Sequence, residues 1–363
     1  VVARPERLSL DTTIAPLIAG SDYQQFVTTT AGPGLSTNAP APSETALLHF
    51  IMQLDPESRS ISEVRQLASM FLSGAGPNPM KWIGRHVQVL VERDDKFWSE
   101  IAAQKTDRER ERFLENNWWR FPIAAEVHVV DVFSLTLFLS ALKSLIVTSA
   151  PGLLIYENRE FEGQPYVVIL PDQEQLGNQL DLPEDQEVGI FYIANKNYFF
   201  LTLREDLVQD RIKRGKADAA RAEKGEASGW AGENLALRVD GDFLPIAFSL
   251  FERDLLRTLR QRCHANLRAL NEWRRLGASD PVAFHLKTWG VRLLCPAGGE
   301  YVWDDENQTM ESTALGSPVD PEELVSWQPI PLLGAKRVDA GLTFESEIDG
   351  LRARVEVQRE PKK

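Results

Sequence analysis

The sequence predicts an α+β protein in which repeated strand-helix-strand-strand units form antiparallel sheets covered by helices. Three observations carry this expectation. Apolar strand-like runs pass straight into helices through an aspartate at two joints, Asp131 and Asp240. Sequence-adjacent runs such as 153–157 and 166–170 are linked by a short turn at Glu162, Gly163 and Gln164, which makes them antiparallel. Helices interrupt such strands instead of separating parallel ones, which argues against a doubly wound sheet.

Taken in order, residues 1–44 hold Gly20, Gly32, Pro33, Gly34, Pro40 and Pro42 among Ser and Thr, and so predict an irregular surface arm. A first strand is expected at 46–54. The stretch after it puts Ile61, Val64, Leu67, Ala68, Phe71 and Leu72 on one helical face. Gly and Pro at 74–79 break that helix, and 86–92 return as a strand. A charged helix at 94–116 ends before Trp118 and Trp119. Strand 123–130 then leads to Asp131, whose carboxylate suits the free N–H groups of a first turn, and to an apolar helix from Val132 expected to bury most of its faces. A hairpin of 187–193 and 198–203 turns at 195–197 and precedes a helix at 205–214.

Residues 215–229 have several glycines and no apolar face, the pattern of a flexible linker. Beyond it, strand 235–239 enters a helical region whose longest piece, 252–276, repeats Leu255, Leu256, Leu259, Cys263, Leu267, Leu270 and Trp273 at threes and fours. Asp280 and Pro281 read as the cap and first turn of a short helix. The tail is β-rich, with strands expected at 291–295, 300–303, 309–313, 342–347 and 351–358, the last two joined at Asp349-Gly350. The organisation is therefore an arm (1–44), three α+β units (45–214), a linker (215–229), and a further α+β unit with a long helix and C-terminal hairpins (230–363).

A chain of 363 residues exceeds the size at which one core stops growing, so two or three core-bearing units are expected. The net charge of −13 disfavours nucleic acid as a partner, because phosphate binding needs clustered Lys and Arg. The apolar stretch 132–156 is broken by Lys143 and by Pro151-Gly152, so no membrane span is expected. Val1 in place of Met, without a leader-like start, suggests a processed or excised piece. Cys263 and Cys295 pair only if folding brings their Cα atoms within ~7 Å; buried free thiols are the alternative.

Motifs of catalysis are missing: no Gly-x-Ser-x-Gly, no phosphate loop, no His-Glu-x-x-His, no Gly-x-Gly-x-x-Gly and no Cys-x-x-Cys. No cofactor or metal is expected, since His49, His86, His128, His264 and His285 lack ligand spacing and the adjacent Cys263 and His264 point about 100° apart on a helix. Between Glu300 and Trp327 lie eight acids and no base. Of these Asp304, Asp305, Glu306 and Glu311 are the candidates for a carboxylate hydrolase acting on a glycan or peptide, against the simpler reading of a solvated turn. A calcium loop starting at Asp304 fails, because Thr309 and Leu315 occupy its sixth and twelfth places. Arg253, Arg257, Arg260, Arg268, Arg274 and Arg275 form a stripe beside the leucine seam, a grip for an acidic partner or the solvated edge of a core helix. Trp303 and Trp327 are the candidate sugar-stacking or partner-anchoring aromatics.

Residues 127–170, 191–212, 271–273 with 289–303, and the closing 350–357 together resemble segments of large bacterial proteins of the kind found in planctomycete-like genomes. The resemblance implies an α+β module at the cell envelope and supplies no catalytic residue. The reading that results is a non-catalytic interaction or structural module whose partner is a protein docking on a sheet edge or aromatic surface, with its oligomeric state open. A carboxylate hydrolase and a carbohydrate-binding module are the alternatives.

Overall fold

The computed structural model describes residues 2–4, 7–14, 27–30, 34–35, 43, 45–72, 78–104, 106–172, 187–223, 233–322, 335–345 and 350–359. The fold is α+β, and the chain divides into two compact units, Val1–Leu244 with Gly334–Lys363, and Pro245–Leu333.

The first unit is organised by one twelve-stranded sheet, antiparallel at every pairing among the described residues. Its strands are β1 (Val2–Arg4), β2 (Arg7–Ile14), β3 (Ala46–Gln53), β4 (Ile83–Glu92), β5 (Ile123–Val129), β6 (Leu154–Phe161), β7 (Gln164–Pro171), β8 (Ile190–Ala194), β9 (Tyr198–Thr202), β10 (Leu235–Asp240), β13 (Ala335–Glu345) and β14 (Gly350–Arg359); β11 (Tyr301–Asp304) and β12 (Thr309–Ser312) belong to the second unit. The spatial order is β1-β2-β14-β13-β10-β3-β4-β5-β9-β8-β7-β6. Helices α1 (Arg59–Phe71), α2 (Asp95–Ala102), α3 (Asp107–Asn116), α4 (Val132–Ser149) and α5 (Glu205–Glu223) join strands along the way.

Helix starts follow local chemistry. Ser58, Asp94, Thr106 and Asp131 each accept a hydrogen bond from a first-turn N–H of α1, α2, α3 and α4, and Thr106 forms a reciprocal box with Glu109. The two sheet faces build separate cores, because successive strand residues point to opposite sides. Phe200 packs with Leu90, Ala124, Phe191, Ile193, Val208 and Ile212, so α5 covers that face. Its neighbour Phe199 packs on the other, where Trp82, Ile83, Val129 and Leu135 are buried and Ile61, Phe138 and Leu139 lean in, so α1 and α4 share the opposite layer.

The second unit carries most of α6 (Phe243–Arg275), then α7 (Pro281–Trp289) and the hairpin β11 (Tyr301–Asp304) and β12 (Thr309–Ser312). Asp280 caps α7 with Pro281 in its first turn, and Gly290 ends it at φ 70°. Among the described residues this unit has two small clusters, Cys263 with Cys295 and Leu315, and Leu267 with Leu270 and Met310.

Several expectations change. Part of the arm expected at 1–44 is strand: β2 pairs with β14 over eight residues, its polar Arg7, Ser9 and Asp11 alternating with Leu8 and Leu10. Arg7 pairs with Glu356 across that ladder, and Asp11 with Arg352 at 2.9 Å. The linker expected at 215–229 is helical as far as Glu223, in keeping with its Ala, Lys, Arg and Glu content; 224–229 lie outside the described residues. The boundary falls elsewhere, because β10 pairs with β13 across the intervening unit. Residues 291–295 are not a strand. On α1 the expected buried face is rotated: Val64, Leu67 and Phe71 are exposed, while Ile61 packs inward.

Candidate functional site

The most unusual surface of the first unit is α4. Its N-terminus is fixed by Asp131, which accepts from the Ser134 N–H at 3.0 Å and hydroxyl at 2.9 Å and pairs with Lys81 at 3.3 Å. These partners hold the Asp131 carboxyl below its usual range, the Ser134 N–H first among them. One stripe, Leu135, Phe138 and Leu139, meets the sheet. Leu135 is the single buried residue of the helix, whereas Phe133 is 70% exposed and Val132, Leu137, Leu145 and Val147 are exposed as well. The expectation that this helix buries most of its faces is thus overturned. With 18 residues and a mean hydropathy of 1.7 it is long and apolar enough to cross a membrane by length and composition.

The polar atoms on its outer side are turned inward. Thr136, Ser140 and Thr148 donate their hydroxyls to the carbonyls of Val132, Thr136 and Ser144 at 2.8–2.9 Å, the back-bonding that satisfies these three donors within the helix. The one charge on the helix, Lys143, lies with its Nζ 4.5 Å from the Tyr156 ring. On the same side of the sheet, α1 exposes Val64, Leu67, Met70 and Phe71. Both helices rest on the Trp82 cluster, so one layer presents apolar side chains outward from two elements.

The other face carries charge, and it is covered. Glu126 accepts from Arg211 Nε and, at 3.2 Å, from Nη2; it also accepts from Gln88 Nε2 at 2.7 Å, and the Gln88 Oε1 lies 2.7 Å from His49 Nε2. Arg211 also lies 3.9 Å from the Tyr198 ring centre. Burial pushes the His49 imidazole down to about 4, and the same cause, with His128 beside it, sets His86 at about 4. The His86 and His128 rings stack at 5.0 Å. This row has the side-chain types of acid-base chemistry, but its groups are engaged with one another inside the core.

A shallow hollow of about 390 Å³ lies between Asp94, Trp119, Arg120, Glu187, Leu203, Arg204, Glu205 and Asp206. Its two arginines are matched by acids: Arg204 pairs with Asp94 and, at 2.5 Å, with Asp206, and Arg120 with Glu100 at 2.6 Å. At its rim Arg159 reaches Glu157, Glu187 and Glu205, whose carboxylate also accepts from Tyr166. Burial first, then this acid, pushes the Tyr166 phenol up to about 12.

The residues singled out from sequence fall mainly in the second unit. Asp304, Asp305 and Glu306 stand at the turn between β11 and β12. There Asp304 accepts from Glu306 N–H and Asn307 Nδ2, and Asp305 accepts from Trp303 Nε1 at 3.0 Å. Asp304 is held below the usual carboxylate range chiefly by Asn307, while Glu311 on β12 is raised by partial burial and then by nearby Asp304. These bonds are those of a hairpin turn. Trp303 is half-buried against the Leu267 cluster with the Arg274 guanidinium 5.0 Å from its ring centre. Trp327 lies outside the described residues. Arg257 and Arg268 are exposed, and Arg260 donates to the Glu322 carbonyl at 3.0 Å, a contact with the chain's own acidic segment.

The exposure of Phe133 and Leu137 was not anticipated, although a signal exists: α4 is apolar by composition, the pattern of a helix enclosed by protein or in contact with lipid. Comparison with known protein families, with curated proteins and with solved structures finds no match to this chain.

Proposed function

We propose that the protein is a non-catalytic docking module whose α4 lies in the headgroup-acyl boundary of an electrically neutral lipid surface. The observation that carries this reading is the pairing of high hydropathy with exposure along α4. A core helix of the same composition would be enclosed, and here one residue in 18 is buried. Lipid suits this face better than a polar protein surface does, because its side chains are mostly apolar and three of its hydroxyls, on Thr136, Ser140 and Thr148, already bond within the helix. The only ionisable groups between Val130 and Tyr156 are Asp131, held by Lys81 and the helix N-terminus, and Lys143, whose long stem lets its charge reach the headgroups. With a net charge of −13 the protein is repelled by anionic bilayers, so the apolar contribution must dominate. A helix held against the sheet by Leu135, Phe138 and Leu139 lies along the bilayer surface in this arrangement and does not cross it.

The test is flotation with phosphatidylcholine vesicles. Wild-type protein should rise with the vesicles, and a Phe133→Glu/Leu137→Glu variant of unchanged circular dichroism should stay behind. Each of these side chains is worth about 1.5–3 kcal/mol when fully buried, so losing both should weaken binding at least tenfold. Flotation of the variant equal to that of wild type overturns the reading. So does a wild-type protein that ignores vesicles and forms a dimer that the same substitutions dissociate.

A further inference from the structure

We propose that Cys263 and Cys295 of the second unit are joined as an intramolecular disulfide when the chain folds in the presence of a disulfide-class oxidant. They are the only two cysteines in the chain. α6 supplies Cys263 and the segment after α7 supplies Cys295; both are buried, and their Sγ atoms stand 3.9 Å apart. Rotation about the side-chain bonds has to close this gap to the ~2.0 Å of an S–S bond. Leu315 completes the cluster, Ala297, Ala314 and Tyr301 pack on it, and the Ser312 hydroxyl lies 3.1 Å from Cys295 Sγ. Each of this unit's two clusters has three buried residues among those described, a small core of the kind that cross-links commonly reinforce.

The reaction balances with oxidised glutathione as the oxidant. One cysteine thiolate attacks its S–S bond, releasing one glutathione thiol and leaving a mixed disulfide. The second cysteine thiolate attacks the protein sulfur of that intermediate and releases the other glutathione. Two protein thiols are oxidised by two electrons in all, and one glutathione disulfide is reduced to two thiols. Burial pushes the Cys263 thiol up to about 11, which disfavours the attacking thiolate in the native state. The bond should therefore form while the unit is still open and then resist reductant until it opens again.

The experiment refolds the full chain in a glutathione redox buffer, alkylates under denaturing conditions without reductant, and maps the peptides by mass. The expected result is one peptide pair linked through Cys263 and Cys295, neither thiol alkylated, and both alkylated after reduction. In the folded oxidised protein, reduction by dithiothreitol should speed up at least tenfold on adding enough urea to unfold the second unit. Cys295→Ser should remove the linked pair and leave Cys263 open to alkylation. Full alkylation of both cysteines after oxidative refolding, or linkage found only between separate chains, overturns the proposal.

Discussion

Replacing Glu126 by Ala tests whether the polar row across the sheet is a stability element. The side chains of Glu126 and Arg211 are 4% and 9% exposed, so the substitution takes the carboxylate from a guanidinium that stays in the core. Removing one partner of a buried ion pair destabilises by roughly 3–5 kcal/mol, because the remaining charge keeps its desolvation penalty. Gln88 Nε2 loses its 2.7 Å acceptor at the same time, which adds about 1 kcal/mol or more. The expected loss is about 4–6 kcal/mol. It should be measured by urea unfolding read from amide protection in β4 and β5, both within the first unit. Glu126→Leu combined with Arg211→Met removes both charges and should recover most of the loss, giving a coupling energy above about 2 kcal/mol in a double-mutant cycle. A single-variant loss below about 1 kcal/mol, or additive effects, would refute the reasoning.

Stability should fall as pH drops from 6.5 towards 4. His49 and His86 have folded values near 4 against an unfolded value near 6.5, so the unfolded chain binds more protons in that window. Each neutral imidazole contributes on the order of 3 kcal/mol above pH 6.5, and urea titrations at pH 7, 5.5 and 4.5 should show the decline. Gly84→Ala should destabilise by about 1–3 kcal/mol, since a Cβ there would lie 2.2 Å from His128 Nδ1 and 2.7 Å from the His128 carbonyl; thermal unfolding reads the effect. Asp280→Ala removes the acceptor for the Ala283 N–H and should cost the second unit about 1 kcal/mol, read from amide exchange in α7, with Asp280→Ser restoring most of it.

Much of the scaffold was legible because its signals are local. The caps Asp131 and Asp280, the turn at Glu162-Gly163 and the alternation in β5 each act within a few residues. Long-range pairing was not legible. Glu126 interrupts an apolar strand and looks like a solvent-facing position, but its partner Arg211 is 85 residues away on α5, and only the folded chain brings them together. The strand β2 was hidden for a similar reason, since its polar Arg7 and Asp11 find their counterions on the last strand. For α4 the composition was plain and its meaning was not: an apolar helix suggests a core, and which neighbours cover it is a tertiary fact. The acidic run at 304–311 drew attention by charge alone, which reports solvation more often than chemistry.

The pairing of β10 with β13 across residues 245–333 has a consequence for biosynthesis. As the polypeptide leaves the ribosome, β10 emerges with one ladder side vacant, and the strand that fills it follows only after some ninety residues of an independent compact unit. β2 waits longer still, because its inner neighbour β14 follows β13 in the chain. A nascent chain with two orphaned edges is sticky towards other strands. Truncations that stop before residue 335 should therefore aggregate where full-length chains do not, and prompt compaction of the inserted unit would shorten the interval of greatest risk.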